Sequence, residues 1–155
     1  MSLSLTFALV AVLAPAPSDS AHCAAAAYFL RDQQGMIAAV DADTIDDWRT
    51  GKRLAGCRVT AAGATPLGVA REAVRFYERI RAAGWTRTPD PRDAPNEASL
   101  RFRREASDCV FNVYEGANLL TEAETRVNEA LQPKADEARY QVLALCMPAM
   151  AAKPR

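Results

Sequence analysis

Four cysteines, Cys23, Cys57, Cys109 and Cys146, stand 34, 52 and 37 residues apart. No other feature constrains the fold as strongly. Zinc sites recruit cysteines in close pairs so that one turn presents two thiolates to one ion. No such pair exists here, and a redox Cys-x-x-Cys is absent too. A thiol nucleophile needs a histidine base, and the only histidine, His22, is the immediate neighbour of Cys23. The expectation is two structural disulfides in an oxidising compartment. Each would close a long loop and contribute about 3–4 kcal/mol in the chain-entropy picture. Of the three pairings, chain order favours Cys109 with Cys146, since both lie in apolar, strand-like segments that should be neighbours. Cys23 with Cys57 then remains.

Residues 1 to 14 carry no charged side chain. The run is too short for a bilayer, which needs about 20 apolar residues, and has the length of a signal-peptide core. Pro15 and Pro17 follow, then the small residues Ser18 and Ser20, so the leader is expected to end near residue 20. Its one departure is an amino-terminal region without Lys or Arg. Residues 21–148 are expected to form a single domain, 149–155 a loose tail. Lys and Arg total 19, as do Asp and Glu, which gives a formal net charge of zero. That implies no global attraction to nucleic acid or membrane. Arginine outnumbers lysine 16 to 3, a bias that fits a GC-rich bacterial genome.

Alanine favours helix around Cys23 to Tyr28, but Gly35 and the lack of a clean stripe leave 23–40 without an assigned element. Asp41, Asp43, Asp46 and Asp47 invite a calcium reading that fails: Lys52 stands at the twelfth loop position and Asp46 at the turn glycine. They are read as a solvated turn or a helix N-terminus. Gly56 to Ala61 is a short strand followed by a turn at Gly63. A helix is expected from Pro66 to Ala83, with Thr65 as N-cap and Gly84 past its end. Leu67, Ala70, Val74, Tyr77 and Ile80 would form its inward row, and Arg71, Arg75 and Arg79 its wet face. Trp85 to Thr88 makes a short strand, and the proline-rich stretch after it a loop. Ser99 to Arg103 alternates, placing Leu100 and Phe102 inward and Arg101 and Arg103 outward. Cys109 to Tyr114 returns as the second arm of a hairpin. Thr121-Glu-Ala-Glu124 has capping-box spacing for a short helix, and Tyr140 to Met147 forms a final covered strand. The fold class is α+β: a mostly antiparallel sheet with one main helix on it, stapled by disulfides.

Gly56-Cys57-Arg58-Val59, the helix closing at Ala83-Gly84-Trp85, the Cys109 strand and the terminal Val142 to Cys146 strand occur in that order. In this the chain resembles small exported proteobacterial proteins of uncharacterised function, over about residues 47 to 147. The resemblance brings no activity, so no catalytic residue is carried over. Those proteins have a Gly- and Asp-rich segment between helix and hairpin, where this chain has Asp90-Pro-Arg-Asp-Ala-Pro.

The chain offers no Gly-x-Ser-x-Gly elbow, no phosphate loop and no metal or cofactor spacing. The expected function is therefore a non-catalytic binding or accessory role in the periplasm or outside the cell, toward an envelope component or a protein partner. From Arg49 to Arg104 there are 13 basic and 5 acidic residues. Arg71, Arg75, Arg79, Arg101 and Arg103 are accordingly the residues to expect in an anion-binding patch, unless acidic flanks fold over them. The alternative is a periplasmic inhibitor or immunity protein that blocks an envelope hydrolase with an inserted loop, Pro89–Asn96 or Glu115–Leu120. A second alternative is a hydrolase built on two converging carboxylates.

Overall fold

The computed structural model describes residues 19–88 and 99–150, with side chains from residue 21 onward. The leader, the Pro89–Asn96 loop and the end of the tail lie outside these residues. Six strands form one antiparallel sheet: β1 (Ile37–Asp47), β2 (Lys52–Thr65), β3 (Thr86–Arg87), β4 (Ser99–Arg104), β5 (Ser107–Tyr114) and β6 (Ala138–Pro148). Their order in space is β1-β2-β6-β5-β4-β3. The α+β class and the single main helix packed on an antiparallel sheet are what the sequence leads one to expect. The central position of β6 explains why its side chains are apolar on both faces.

One face of the sheet carries the main core. A short 3₁₀ turn (Asp19–Cys23), helix α1 (Ala24–Tyr28) and a π turn (Phe29–Gln33) lie against it, as does helix α2 (Val69–Ala82). Phe76 of α2 meets Phe29 and Phe111 with ring centroids 5.5 and 5.9 Å apart, and Tyr77 stacks on Phe102 at 6.0 Å. Aromatic contacts of this kind, edge-to-face at Phe29–Phe76 and stacked at Tyr77–Phe102, add to the stabilisation that area burial provides. Two disulfides, Cys23–Cys57 and Cys109–Cys146, cross this core. Cys57 and Cys109 each oppose Cys146 in register, from its two sides. The second bridge thus joins directly facing residues whose Cα atoms are 4.1 Å apart.

Several local expectations change. Helix α2 starts at Val69 behind Gly68 (φ 77°), because Thr65 is still paired with Ala138 in the β2–β6 ladder and its hydroxyl donates to Glu72 instead. The inward row is therefore Val69, Glu72, Ala73, Phe76, Tyr77 and Ile80, while Val74 is 61 % exposed. The helix ends as the sequence suggests: Gly84 takes φ 86°, and the amides of Gly84 and Trp85 return to the carbonyls of Arg81 and Ile80. The acidic stretch is no turn but the second half of β1. Its odd-numbered residues share one face, where Asp43 pairs with Arg58 at 2.7 Å. Strand β2 runs on through Gly63, a position where a Cβ would sit 2.8 Å from the Tyr140 ring.

The opposite face holds helix α3 (Glu122–Ala130) at one end, with Ala123 and Val127 packed on Ala39 and Ala62. At the other end the β1–β2 hairpin tip folds back. Its β2 arm is free of β6 before Cys57, so Ile45 and Leu54 can turn onto Val110, Leu145 and Met147. Gly56 lies at this bend, and a Cβ there would overlap the carbonyl oxygen of Cys146. Backbone cannot yield as a flexible side chain can. Gly56→Ala is expected to cost at least about 2 kcal/mol, with Gly63→Ala milder because Tyr140 can swing aside; urea unfolding of the two variants checks the order.

Candidate functional site

The five arginines expected in an anion patch do not share a surface. Arg71, Arg75 and Arg79 lie on α2, on one side of the sheet. Arg71 donates to the Leu67 carbonyl and Arg79 pairs with Glu72, while Arg75 is exposed. Arg101 and Arg103 belong to the residues of β4 that face away from α2. Arg101 is not outward but fully buried. The correction has a clear cause: strand alternation puts a side chain on a face but does not say what covers that face.

What meets Arg101 is a buried ionic cluster under the hairpin tip. Arg101 Nη2 donates to Asp47 Oδ1 at 3.0 Å, and Nη1 lies 3.4 Å from Met147 Sδ. Arg49 donates to Asp47 and, at 2.9 Å, to Asp108. Arg103 grips Asp108 with Nε at 2.6 Å and Nη2 at 2.9 Å. In a flat sheet β1 and β4 would be about 19 Å apart across four strand spacings. The Asp47–Arg101 contact therefore exists only because the tip folds over. Burial pushes the Asp47 and Asp108 carboxyls up, but their arginine partners, with Thr50 at Asp47, outweigh it and hold both below the usual carboxylate value. Burial lowers Arg101, as does the nearby Arg49 charge, and the two aspartates only partly offset this.

This chemistry bears on a carboxylate-based hydrolase. Asp47 and Asp108 share a guanidinium, but both are depressed, so neither holds a proton to donate as a general acid near neutral pH. The cluster is a structural clamp. His22 is likewise engaged, with Nδ1 2.9 Å from Ser107 Oγ. Among the described residues, no three His, Cys, Asp or Glu side chains form a group that could hold a metal ion. No helix among them is long and apolar enough to cross a membrane.

A different feature combines an exposed apolar side chain with a strained backbone. Between β5 and α3, Glu115 to Leu120 forms a loop that places Leu120 87 % exposed in a left-handed backbone conformation (φ 54°). Such a conformation costs a leucine roughly 1–2 kcal/mol, so something must hold it. Thr121 is the N-cap of α3, its hydroxyl accepting from the Glu124 amide at 3.2 Å. The Glu124 carboxylate then accepts from the amides of Leu119 and Leu120, both at 2.8 Å, from Asn118 at 3.1 Å and from the Tyr114 hydroxyl at 2.9 Å. Glu124 is buried. Burial pushes the Tyr114 hydroxyl far up, and the adjacent carboxylate adds to the shift. The capping-box spacing signals Glu124 from sequence, but the carboxylate reaches past the N-cap to the loop before it. The sequence offers Glu115–Leu120 as a candidate inserted loop but does not single out Leu120, because leucine is not a residue that favours φ > 0.

Two outcomes follow. Glu124→Ala strands three loop amides and is expected to cost about 3 kcal/mol, with amide exchange at Leu119 and Leu120 accelerated well beyond that in β6. Asp47→Asn and Asp108→Asn should each cost about 3–5 kcal/mol at pH 7. Both aspartates titrate lower folded than unfolded, so the unfolded chain takes up their protons first. The stability they contribute is present above the ordinary value of 3.8 and is lost as pH falls through the folded values. Each variant should flatten that acid limb in urea titrations from pH 7 to 2. No family model matches this chain, and no curated protein or solved structure matches it, so its function is read from this geometry.

Proposed function

We propose that this is a non-catalytic binding protein of the periplasm or extracellular space, which blocks a protein partner by inserting the Glu115–Leu120 loop into an apolar cleft. One observation carries the reading: a leucine almost wholly in water, held in a costly backbone conformation by a buried carboxylate. A loop that served only to connect β5 to α3 would do better with glycine at that position. A pre-set loop loses little conformational entropy on binding, which favours tight association through a small contact. The two disulfides agree with an oxidising compartment, and the partner expected there is an envelope hydrolase. The anion-patch reading has less support, since its five arginines are divided between two faces and mostly engaged.

The test separates folding from binding. In Leu120→Gly, relief of about 1–2 kcal/mol of backbone strain exceeds the glycine entropy cost of about 0.5–1 kcal/mol. Thermal stability should therefore hold or rise while partner capture from an envelope extract, and inhibition of the captured hydrolase, are lost. Capture that is unchanged in Leu120→Gly and in Leu120→Asp would refute the reading.

A further inference from the structure

We propose that the tip of the β1–β2 hairpin is an interfacial anchor for an anionic lipid bilayer, with Trp48 as the residue that enters the headgroup layer. The site is independent of Leu120.

Trp48 is 64 % exposed, whereas Trp85 is in the core. Its neighbours in the chain, Asp47 and Arg49, have side chains only 0 % and 9 % exposed and belong to the buried ionic clamp. The turn is wound around Asp47. The Asp47 carbonyl accepts from the amides of Thr50 (3.1 Å) and Gly51 (2.8 Å). Its carboxylate accepts from the Thr50 hydroxyl at 2.8 Å and the Arg49 amide at 3.3 Å. Gly51 takes φ 65° and closes the turn. None of these bonds involves the indole. A lone exposed apolar residue is ordinary. What distinguishes this one is the fixed backbone on which it stands and the charge around it.

The clamp holds three arginines, Arg49, Arg101 and Arg103, against two aspartates, an excess of one positive charge. Lys52, which faces Asp47 across the last pair of the hairpin, is exposed and adds a second. Arg53 and Asp46, both exposed, pair with each other at 3.5 Å and cancel. Glu105, in the β4–β5 turn, is matched by Arg104 beside it. Met150, also exposed, is held near the clamp through its amide, 3.4 Å from Asp108 Oδ2.

This combination selects a lipid surface over a protein. A stable protein interface buries about 800 Å² on each partner, more than an indole on a narrow turn supplies. A bilayer needs no such matching area. Tryptophan settles at headgroup depth on its own, its ring in the apolar boundary and its N–H toward water. Each Lys or Arg beside it is drawn to anionic headgroups. Orientation follows from the sheet. Strand β5 runs from Asp108 in the clamp to Tyr114 before the Glu115–Leu120 loop, which sets the two about 20 Å apart along the strand. Docked by Trp48, the protein presents Leu120 on the side away from the lipid.

The test is the tryptophan emission of the full chain, titrated with vesicles of mixed phosphatidylglycerol and phosphatidylcholine or of phosphatidylcholine alone. Emission is the readout because the apolar residues 1–14 would bring the chain to any vesicle without the tip. Anionic vesicles should shift the emission to the blue, and brominated lipid should quench it; phosphatidylcholine alone should do neither. Trp48→Phe, in solvent, should melt as the parent does and lose the response, which assigns the signal to the tip and not to Trp85. Lys52→Gln should weaken the response about fivefold at subsaturating lipid, and added salt should weaken it too. An equal response on phosphatidylcholine, an unchanged one in Lys52→Gln, one that persists in Trp48→Phe, or no shift on anionic vesicles would each overturn the proposal. A blue shift produced only by a lipid-free envelope extract would also overturn it, and would assign the tip to a protein.

Discussion

The fold depends on one line of sulfur chemistry across the middle of its sheet. Cys57, Cys146 and Cys109 oppose one another in register on β2, β6 and β5, and Cys23 reaches down from the 3₁₀ turn to complete the set. The two bridges have different effects. Cys109–Cys146 joins neighbours that the ladder already pairs, so it fixes a register that a one-residue slip would otherwise invert. Cys23–Cys57 instead ties a helical segment with little backbone pairing of its own onto the sheet. That segment brings Ala26, Phe29 and Leu30 into the core. Phe29 then meets Phe76, and through it α2.

The other face has no disulfide, and polar groups do the corresponding work there. Where β1 turns back over β5 and β6, three arginines and two aspartates replace what a larger protein would fill with apolar side chains. Buried ion pairs are weak evidence of stability, since removing charge from water costs several kcal/mol per ion. Their strength is geometric. Arg49 reaches both aspartates and Arg103 grips Asp108 with two nitrogens, so the tip closes in one position. Ile45, Leu54 and Met147 provide the apolar contact beneath it.

Legibility in the sequence tracks how local each cause is. The Ser99–Tyr114 hairpin, the end of α2 at Gly84 and the cap of α3 at Thr121 could be read, because alternation, a glycine past a helix and a Thr-x-x-Glu spacing act within a few residues. The start of α2 falls at Val69 and not at Pro66 because Thr65, a good N-cap by type, is held by β6, some 70 residues on. Strand β1 is not legible in the sequence because its alternation is written in alanine and aspartate, which read as turn or helix until Arg58, Arg49 and Arg101 are brought opposite. The same distant partners put Arg101 inside when its pattern reads as outside. Of the candidate site, Glu124 was visible as a helix cap, whereas Leu120 was not, since its backbone conformation is imposed from outside the residue.

That imposition separates the presented loop from the rest of the molecule. At the hairpin tip, at Gly84 and at Gly68, positive φ falls on glycine, the residue that adopts it at least cost. Among the described residues, Glu105 and Leu120 are the two non-glycine exceptions. Glu105 sits in the two-residue turn between Arg104 and Ser107, where a tight hairpin demands such geometry of whatever residue is present. No hairpin makes that demand at Leu120. Its conformation follows from three consecutive amides converging on the Glu124 carboxylate, and its side chain gains no burial in return. Strain without a packing gain, held by a buried charge, is the pattern expected where a fold is arranged for contact with something outside itself.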